Sequence, residues 1–224
     1  MTKRGPALLK AIIKHRYLIK LSKQTGKKRG SLPKKKYLRK NYRIYKMQHP
    51  LDLFKFCPKC GSNQFGINNF KSKKCDGCGF VLYFNAIAAT VAIIVNDKEE
   101  ILVARRAKEP AKGTLDLPGG FADSMETAEE GVAREVAEET GLQVTEARYL
   151  FSLPNRYVYS GFEEHTLDLF FLCTTEGGTP KAADDVEELQ WIAIEELNPA
   201  EFGLQSISKG IEIFKTTYKN IVTK

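Results

Sequence analysis

Three glutamates, Glu135, Glu138 and Glu139, stand at positions i, i+3 and i+4 of a segment with helical periodicity. On a helix of 3.6 residues per turn this spacing sets three carboxylates on one face. Like charges so placed repel, and a cation among them relieves the repulsion. Oxygen-only ligands suit Mg²⁺ or Mn²⁺. Mg²⁺ bound by one or two carboxylates keeps waters and accepts phosphate oxygens, which brings a readied water to a phosphoanhydride. Taken alone, three glutamates read first as a solvated acidic face.

A second constellation is cysteine-based. Cys57-Pro-Lys-Cys60 and Cys75-Asp-Gly-Cys78 are two CxxC pairs separated by 14 residues. Each pair lets two thiolates from one tight turn reach the same ion, and four thiolates complete a closed tetrahedral zinc site. Gly61 and Gly79 follow each pair, where the backbone must bend back toward sulfur. A closed site leaves no position for water, so this zinc is expected to be structural. A ribbon this short has too little core to fold without it. The fifth cysteine, Cys173, lies in Phe170-Phe171-Leu172-Cys173 and reads as a buried small hydrophobe.

The elements that must position the glutamates are legible nearby. Thr127 with Glu130 forms a capping box that starts a helix, and Gly141 stops it. Ala128, Val132, Val136 and Ala137 mark its apolar stripe. Ala86 to Val95 and Ile101 to Ala104 read as strands joined by a turn at Asn96-Asp97-Lys98. Further strands are expected at 148–151, 166–174 and 189–194, and a closing helix at 206–218. Strands and helices mixed without regular alternation predict an α+β fold or a helix–sheet–helix sandwich.

The run from Gly120 to Leu142 fits Gly-x5-Glu-x7-Arg-Glu-apolar-x-Glu-Glu-x-Gly-apolar at every specified position. The chain thereby resembles the Nudix hydrolase family. Ile101 to Arg106, Leu117-Pro118-Gly119-Gly120-Phe121 and Glu188-Leu189-Gln190-Trp191 agree with the strand before the box, its entry loop and a late strand near the site. Met125 stands where many members have glycine, and is expected on the loop surface. The resemblance implies an α/β/α sandwich with a mixed sheet. It makes Glu135, Glu138 and Glu139 the Mg²⁺ ligands, with the Gly120 carbonyl beside them. Arg134 would orient the carboxylates, and Glu126 would brace the loop or bind a metal through water. The general base is expected at Glu135, with Glu163, Glu164, Glu187 and Glu188 as alternatives.

A zinc ribbon followed by a Nudix domain resembles the NADH pyrophosphatases. Those carry a Ser-Gln-Pro-Trp-Pro-Phe-Pro-like segment after the box, where this chain has Ser152-Leu153-Pro154-Asn155-Arg156-Tyr157-Val158-Tyr159-Ser160. The tryptophan and later prolines are gone. Arg105, Arg156, Tyr157, Tyr159 and Glu188 are candidate substrate contacts: Tyr157, Tyr159 and Phe162 to stack on a base, Arg156 to hold a phosphate. Packing of a strand edge is the competing account of this segment. ADP-ribose or a similar nucleotide sugar is the expected substrate, ahead of NAD(H)-like dinucleotides and capped RNA. The rival of another class is a nucleic-acid-binding protein whose Nudix domain senses a nucleotide.

Charge divides the chain of 224 residues sharply. Residues 1–46 hold 17 Lys and Arg and no Asp or Glu, while the remainder holds the other 18 basic residues and all 27 acidic ones. The net charge of +8 therefore describes a tail, and any argument toward nucleic acid applies to that tail alone. Three readings of it stand: a segment foreign to the working protein, which would start at Met47; an RNA- or membrane-binding arm; and a transit peptide. The expected organisation is a basic tail at 1–46, a zinc ribbon at 47–82 and a Nudix domain at 83–224. No apolar run approaches the roughly 18 residues of a membrane span, and no secretory signal is recognisable. A cytoplasmic enzyme is expected, with the ribbon as a candidate homodimer surface.

Overall fold

The computed structural model describes residues 49–222, with side chains through Tyr218. All three readings of the basic tail lie outside the described residues. The first element is an antiparallel sheet of β1 (Phe65–Asn69), β2 (Ser72–Cys75) and β3 (Val81–Tyr83), in that order. Among the described residues its buried apolar cluster is Cys57, Phe65 and Cys75, with Phe80 and Leu82 against them. Burial on that scale supplies little stability, so cross-linking must contribute.

Both CxxC turns have the same geometry. Gly61 N–H donates to the Cys57 carbonyl at 2.8 Å, and Gly79 N–H to that of Cys75 at 2.9 Å. Both glycines take positive φ, 72° and 74°, a region costly for any residue with a Cβ. The four sulfurs all lie within 4.8 Å of one another. Rings on either side of this sheet in sequence meet the main body: Phe162 receives Phe54 and Phe84 edge-on at 5.7 Å each, and Phe84 also meets His165 at 5.4 Å.

In the main body, β4 (Ile87–Ile94) pairs in parallel with β8 (Phe162–Thr175), which pairs antiparallel with β7 (Val144–Tyr159). A second, antiparallel sheet has the order β6 (Leu115–Asp116), β5 (Glu100–Arg106), β9 (Val186–Ala193). The predicted turn joins β4 to β5: Asn96 Oδ1 accepts the amides of Lys98 and Glu100 at 2.9 and 3.0 Å.

Alternation along the strands builds two cores on opposite faces. Val91, Ile93, Ile101 and Val103 face helix α2 (Gln205–Val222) through Ile207, Ile211 and Phe214. Ala92, Ile94 and Leu102 face helix α1 (Ala128–Thr140) through Val132 and Val136. Strands buried on both faces and flanked by helices give the α+β, α/β/α arrangement. Cys173 is buried in the second core, as its neighbours imply.

The strands expected at 148–151 and 166–174 are parts of one long hairpin. Pairing runs from Val144↔Thr175 to Tyr159↔Phe162, with register shifts near Glu146 and Phe151. Ser160 and Gly161, at φ 50° and 74°, make the turn. Pro154 lies on β7, which ends the order of its sheet among the described strands, the kind of position to which proline is confined in sheets.

Candidate active site

Helix α1 begins and ends where its sequence dictates. Thr127 accepts from the Glu130 amide at 3.2 Å while the Glu130 carboxylate accepts from Thr127 N–H at 2.7 Å. Gly141 closes the helix at φ 72°, donating to Ala137. The loop before the helix runs along β4 as if it were another strand. Thr90 and Ala92 N–H donate to the Gly120 and Pro118 carbonyls at 2.8 Å each, and Ala122 N–H to that of Ala88 at 3.1 Å. Gly119, at φ 150°, fits because a Cβ there would lie 2.1 Å from the Thr90 carbonyl oxygen.

The three glutamates occupy different environments. Glu139 is 8% exposed and accepts the Gly119 N–H at 2.9 Å. Burial pushes its carboxyl up to about 8; the Gly119 amide opposes this, and the charges of Asp116, Glu135 and Asp185 reinforce it. Glu135 is also raised, by burial first, against the pull of Arg134. Glu138 is exposed. Arg134 is the hub: its Nη1 donates to Glu135 at 2.8 Å and Glu138 at 3.0 Å. Its Nε and Nη2 hold Glu126 at 3.2 and 2.8 Å, and Nη2 reaches the Phe121 carbonyl at 3.0 Å. The Glu126 carboxylate also accepts the Asp123 N–H, so it ties the loop to the helix. Arg134 keeps Glu126 below the usual carboxylate range. Met125 is fully exposed, at φ 73°.

Arg134 and the three glutamates line a cleft of about 390 Å³, whereas Glu126 lies off its wall. Gly120, Arg134, Glu135, Glu138, Glu139 and Tyr157 are all on its wall. Arg105, Arg156, Tyr159 and Glu188 are not. Arg105 and Glu188 face each other across β5 and β9 and pair at 3.4 Å. Arg156 pairs with Glu163, which also meets His165 at 3.2 Å. Tyr159 is 62% exposed near the hairpin turn. Of the five candidate substrate contacts, the cleft thus takes Tyr157, whose ring meets Phe121 edge-on at 5.5 Å.

Several cleft residues have no counterpart in the sequence reading. Arg106 lines the wall in place of Arg105; it pairs with Asp116 and donates to the Pro110 carbonyl at 2.7 Å. Burial works against its charge, but Asp116 holds it above its ordinary value. Asn155, Thr166 and Asp168 come from β7 and β8. Asp184 and Asp185 come from the loop before β9, which is stitched to α1 by Lys181 N–H and Ala183 N–H donating to the Thr140 and Glu139 carbonyls at 2.9 and 3.1 Å. Among the general-base alternatives, Glu163, Glu164, Glu187 and Glu188 are absent from the cleft wall.

Residues 85–209 match the family model described as NUDIX domain. The chain belongs to the Nudix hydrolase family. This Nudix hydrolase is 35% identical over 151 residues to an ADP-ribose pyrophosphatase of Methanocaldococcus jannaschii, covering 66% of this chain and 86% of that protein. It is 29% identical over 151 residues to an NAD-capped RNA hydrolase NudC of Vibrio parahaemolyticus, covering 67% of this chain but 55% of that protein. It therefore spans about half the length of that NudC relative. A crystal structure of a Nudix hydrolase from Nitrosomonas europaea superposes with a TM-score of 0.61 over 74% of this chain and 93% of that one; at 22% identity it shows the fold alone. Hydrolysis of a nucleotide-linked pyrophosphate is the reaction class these relations support.

Members of the family use divalent cations, and the donor set here fits one. The candidate donors are all oxygens: the carboxylates of Glu135, Glu138 and Glu139, and the Gly120 carbonyl, whose other lone pair takes the Thr90 N–H. A Cβ at Gly120 would lie 2.5 Å from Glu135 Oε1, so the Glu135 carboxylate sits directly against the loop backbone. No helix among the described residues is long and apolar enough to cross a membrane.

Proposed function

We propose that this Nudix hydrolase splits the diphosphate of ADP-ribose, or a similar nucleoside diphosphate sugar, into two monophosphates. The observation that carries the reading is one cleft lined both by the α1 carboxylates and by the Phe121–Tyr157 aromatic pair. A diphosphate needs the first and a nucleobase the second. The extent of the likeness to the archaeal ADP-ribose pyrophosphatase supports this, as does the loss of the tryptophan-bearing segment of NADH pyrophosphatases.

In this reading Glu135, Glu138, Glu139 and the Gly120 carbonyl hold Mg²⁺. Bound there, Mg²⁺ neutralises diphosphate charge and readies a water for attack on phosphorus. Arg134 keeps Glu135 and Glu138 at the cleft wall, and the Gly119 amide fixes Glu139. Asp184 and Asp185 add acidic groups on the opposite loop and join Glu135 as base candidates. The cysteines Cys57, Cys60, Cys75 and Cys78 hold a structural zinc, making 47–82 a ribbon ahead of a catalytic unit at 83–224.

A panel of ADP-ribose, NADH, NAD⁺, nucleoside triphosphates and diadenosine polyphosphates, with Mg²⁺ and with chelator, tests the substrate. ADP-ribose is expected to give AMP and ribose 5-phosphate with the highest kcat/KM. A higher kcat/KM for NADH, or silence across the panel with tight RNA binding, would overturn the reading.

A further inference from the structure

Asn155 sits on β7, is 5% exposed and lines the cleft. Its Oδ1 is buried and, among the described residues, has no hydrogen-bond partner. A buried amide oxygen without a partner is costly, and native proteins retain few of them. Polar side chains around it bond to one another. Thr166 Oγ1 and Ser206 Oγ both donate to the Asp168 carboxylate. Arg106 is committed to Asp116 and the Pro110 carbonyl. Among the buried side-chain oxygens and nitrogens of the described residues, Asn155 Oδ1 is the one without a partner.

Tyr157 lies two residues along the same strand, hence on the same face as Asn155, and meets Phe121. An aromatic wall beside a carboxamide whose oxygen is unpaired is the complement of a flat heterocycle with a polar edge. A carboxamide offers one donor and one acceptor side by side, matching the N6 amino group and N7 of adenine in a bidentate pair. The 6-oxo purine edge presents two acceptors, which call for a cation such as arginine. The neighbouring cation, Arg106, is already engaged.

We propose that Asn155 reads the amino-bearing edge of adenine and sets base specificity in this cleft. The inference deepens the ADP-ribose reading and rests on it for the placement of a nucleotide here. Calorimetric binding of AMP and of IMP, its 6-oxo counterpart, isolates base reading from turnover. Wild type is expected to bind AMP about 10- to 100-fold more tightly than IMP. In Asn155→Leu, AMP should fall to the affinity of IMP while IMP stays within about twofold of wild type. Asn155→Ser, smaller and still polar, should also lose most of the discrimination, and it serves if the leucine variant does not fold. Equal binding of AMP and IMP by wild type, or discrimination that survives both variants, overturns the proposal. Discrimination of AMP that depends on Asn155, in a protein that does not turn over ADP-ribose, supports base reading and overturns only the substrate assignment.

Discussion

Replacing Gly119 by alanine tests how the entry loop is held. The added Cβ would lie 2.1 Å from the Thr90 carbonyl oxygen and 3.0 Å from Thr90 C and Val91 Cα, all backbone atoms of β4. That is about 1 Å inside any tolerable contact, and no rotamer change relieves it. The loop must peel from the strand, weakening the 2.8 Å bonds from Thr90 and Ala92 N–H to the Gly120 and Pro118 carbonyls. Backbone strain at a glycine-only conformation costs roughly 1–3 kcal/mol, and each weakened bond about 1 kcal/mol. Partial relaxation leaves about 3 kcal/mol in total, which lowers Tm by roughly 6–12 °C for a domain of this size. The same shift carries the Gly119 amide off Glu139, so turnover of ADP-ribose should fall by at least about tenfold even well below the melting range. Differential scanning calorimetry and initial rates at low temperature measure the two effects. A melting point within about 2 °C of wild type together with unchanged turnover would refute the reasoning.

Elemental analysis of the purified protein should find about one zinc per chain. Cys78→Ser should lose it and expose 54–82 to limited proteolysis, while a metal-free ribbon that resists protease would contradict the structural role. Phe162→Ala removes the ring that receives Phe54 and Phe84, so proteolysis between ribbon and body should quicken while turnover persists; unchanged cleavage would show that other contacts seat the ribbon. Burial pushes the Cys173 thiol up to about 12. Because the protonated form persists up to that pH, the thiolate fraction at pH 8 is on the order of 10⁻⁴, and an aromatic disulfide reagent should leave Cys173 unlabelled until the protein unfolds. Rapid labelling of the folded protein at pH 8 would contradict this.

What the sequence made legible was local. Helix α1 could be placed because its cap residues, Thr127, Glu130 and Gly141, act within four positions of their partners. The cysteine turns were legible for the same reason. The cleft's other walls depend on long-range pairing. Asp168 reaches the site because β8 lies parallel to β4 and Ser206 of α2 meets it from the far end of the chain. Arg105 and Arg106 are adjacent, and the irregularity in β5–β9 pairing falls between them. Strand parity has no anchor at such a bulge, so which of the two arginines lines the cleft is set by the pairing and not by the local sequence. The same parity sends Arg156 to Glu163 and brings Asn155 and Tyr157 to the cleft. The loop carrying Asp184 and Asp185 has no periodic pattern, and its place is set by hydrogen bonds to the end of α1.

The most direct test of the central claim is the rate of AMP release from ADP-ribose as Mg²⁺ is titrated, in wild type and in Glu138→Gln. Glu138 is exposed, so the variant should keep the wild-type melting point. The account predicts saturable Mg²⁺-dependent turnover in wild type and a loss of at least about a hundredfold in the variant. Undiminished turnover in Glu138→Gln, or in wild type under excess chelator, would contradict it.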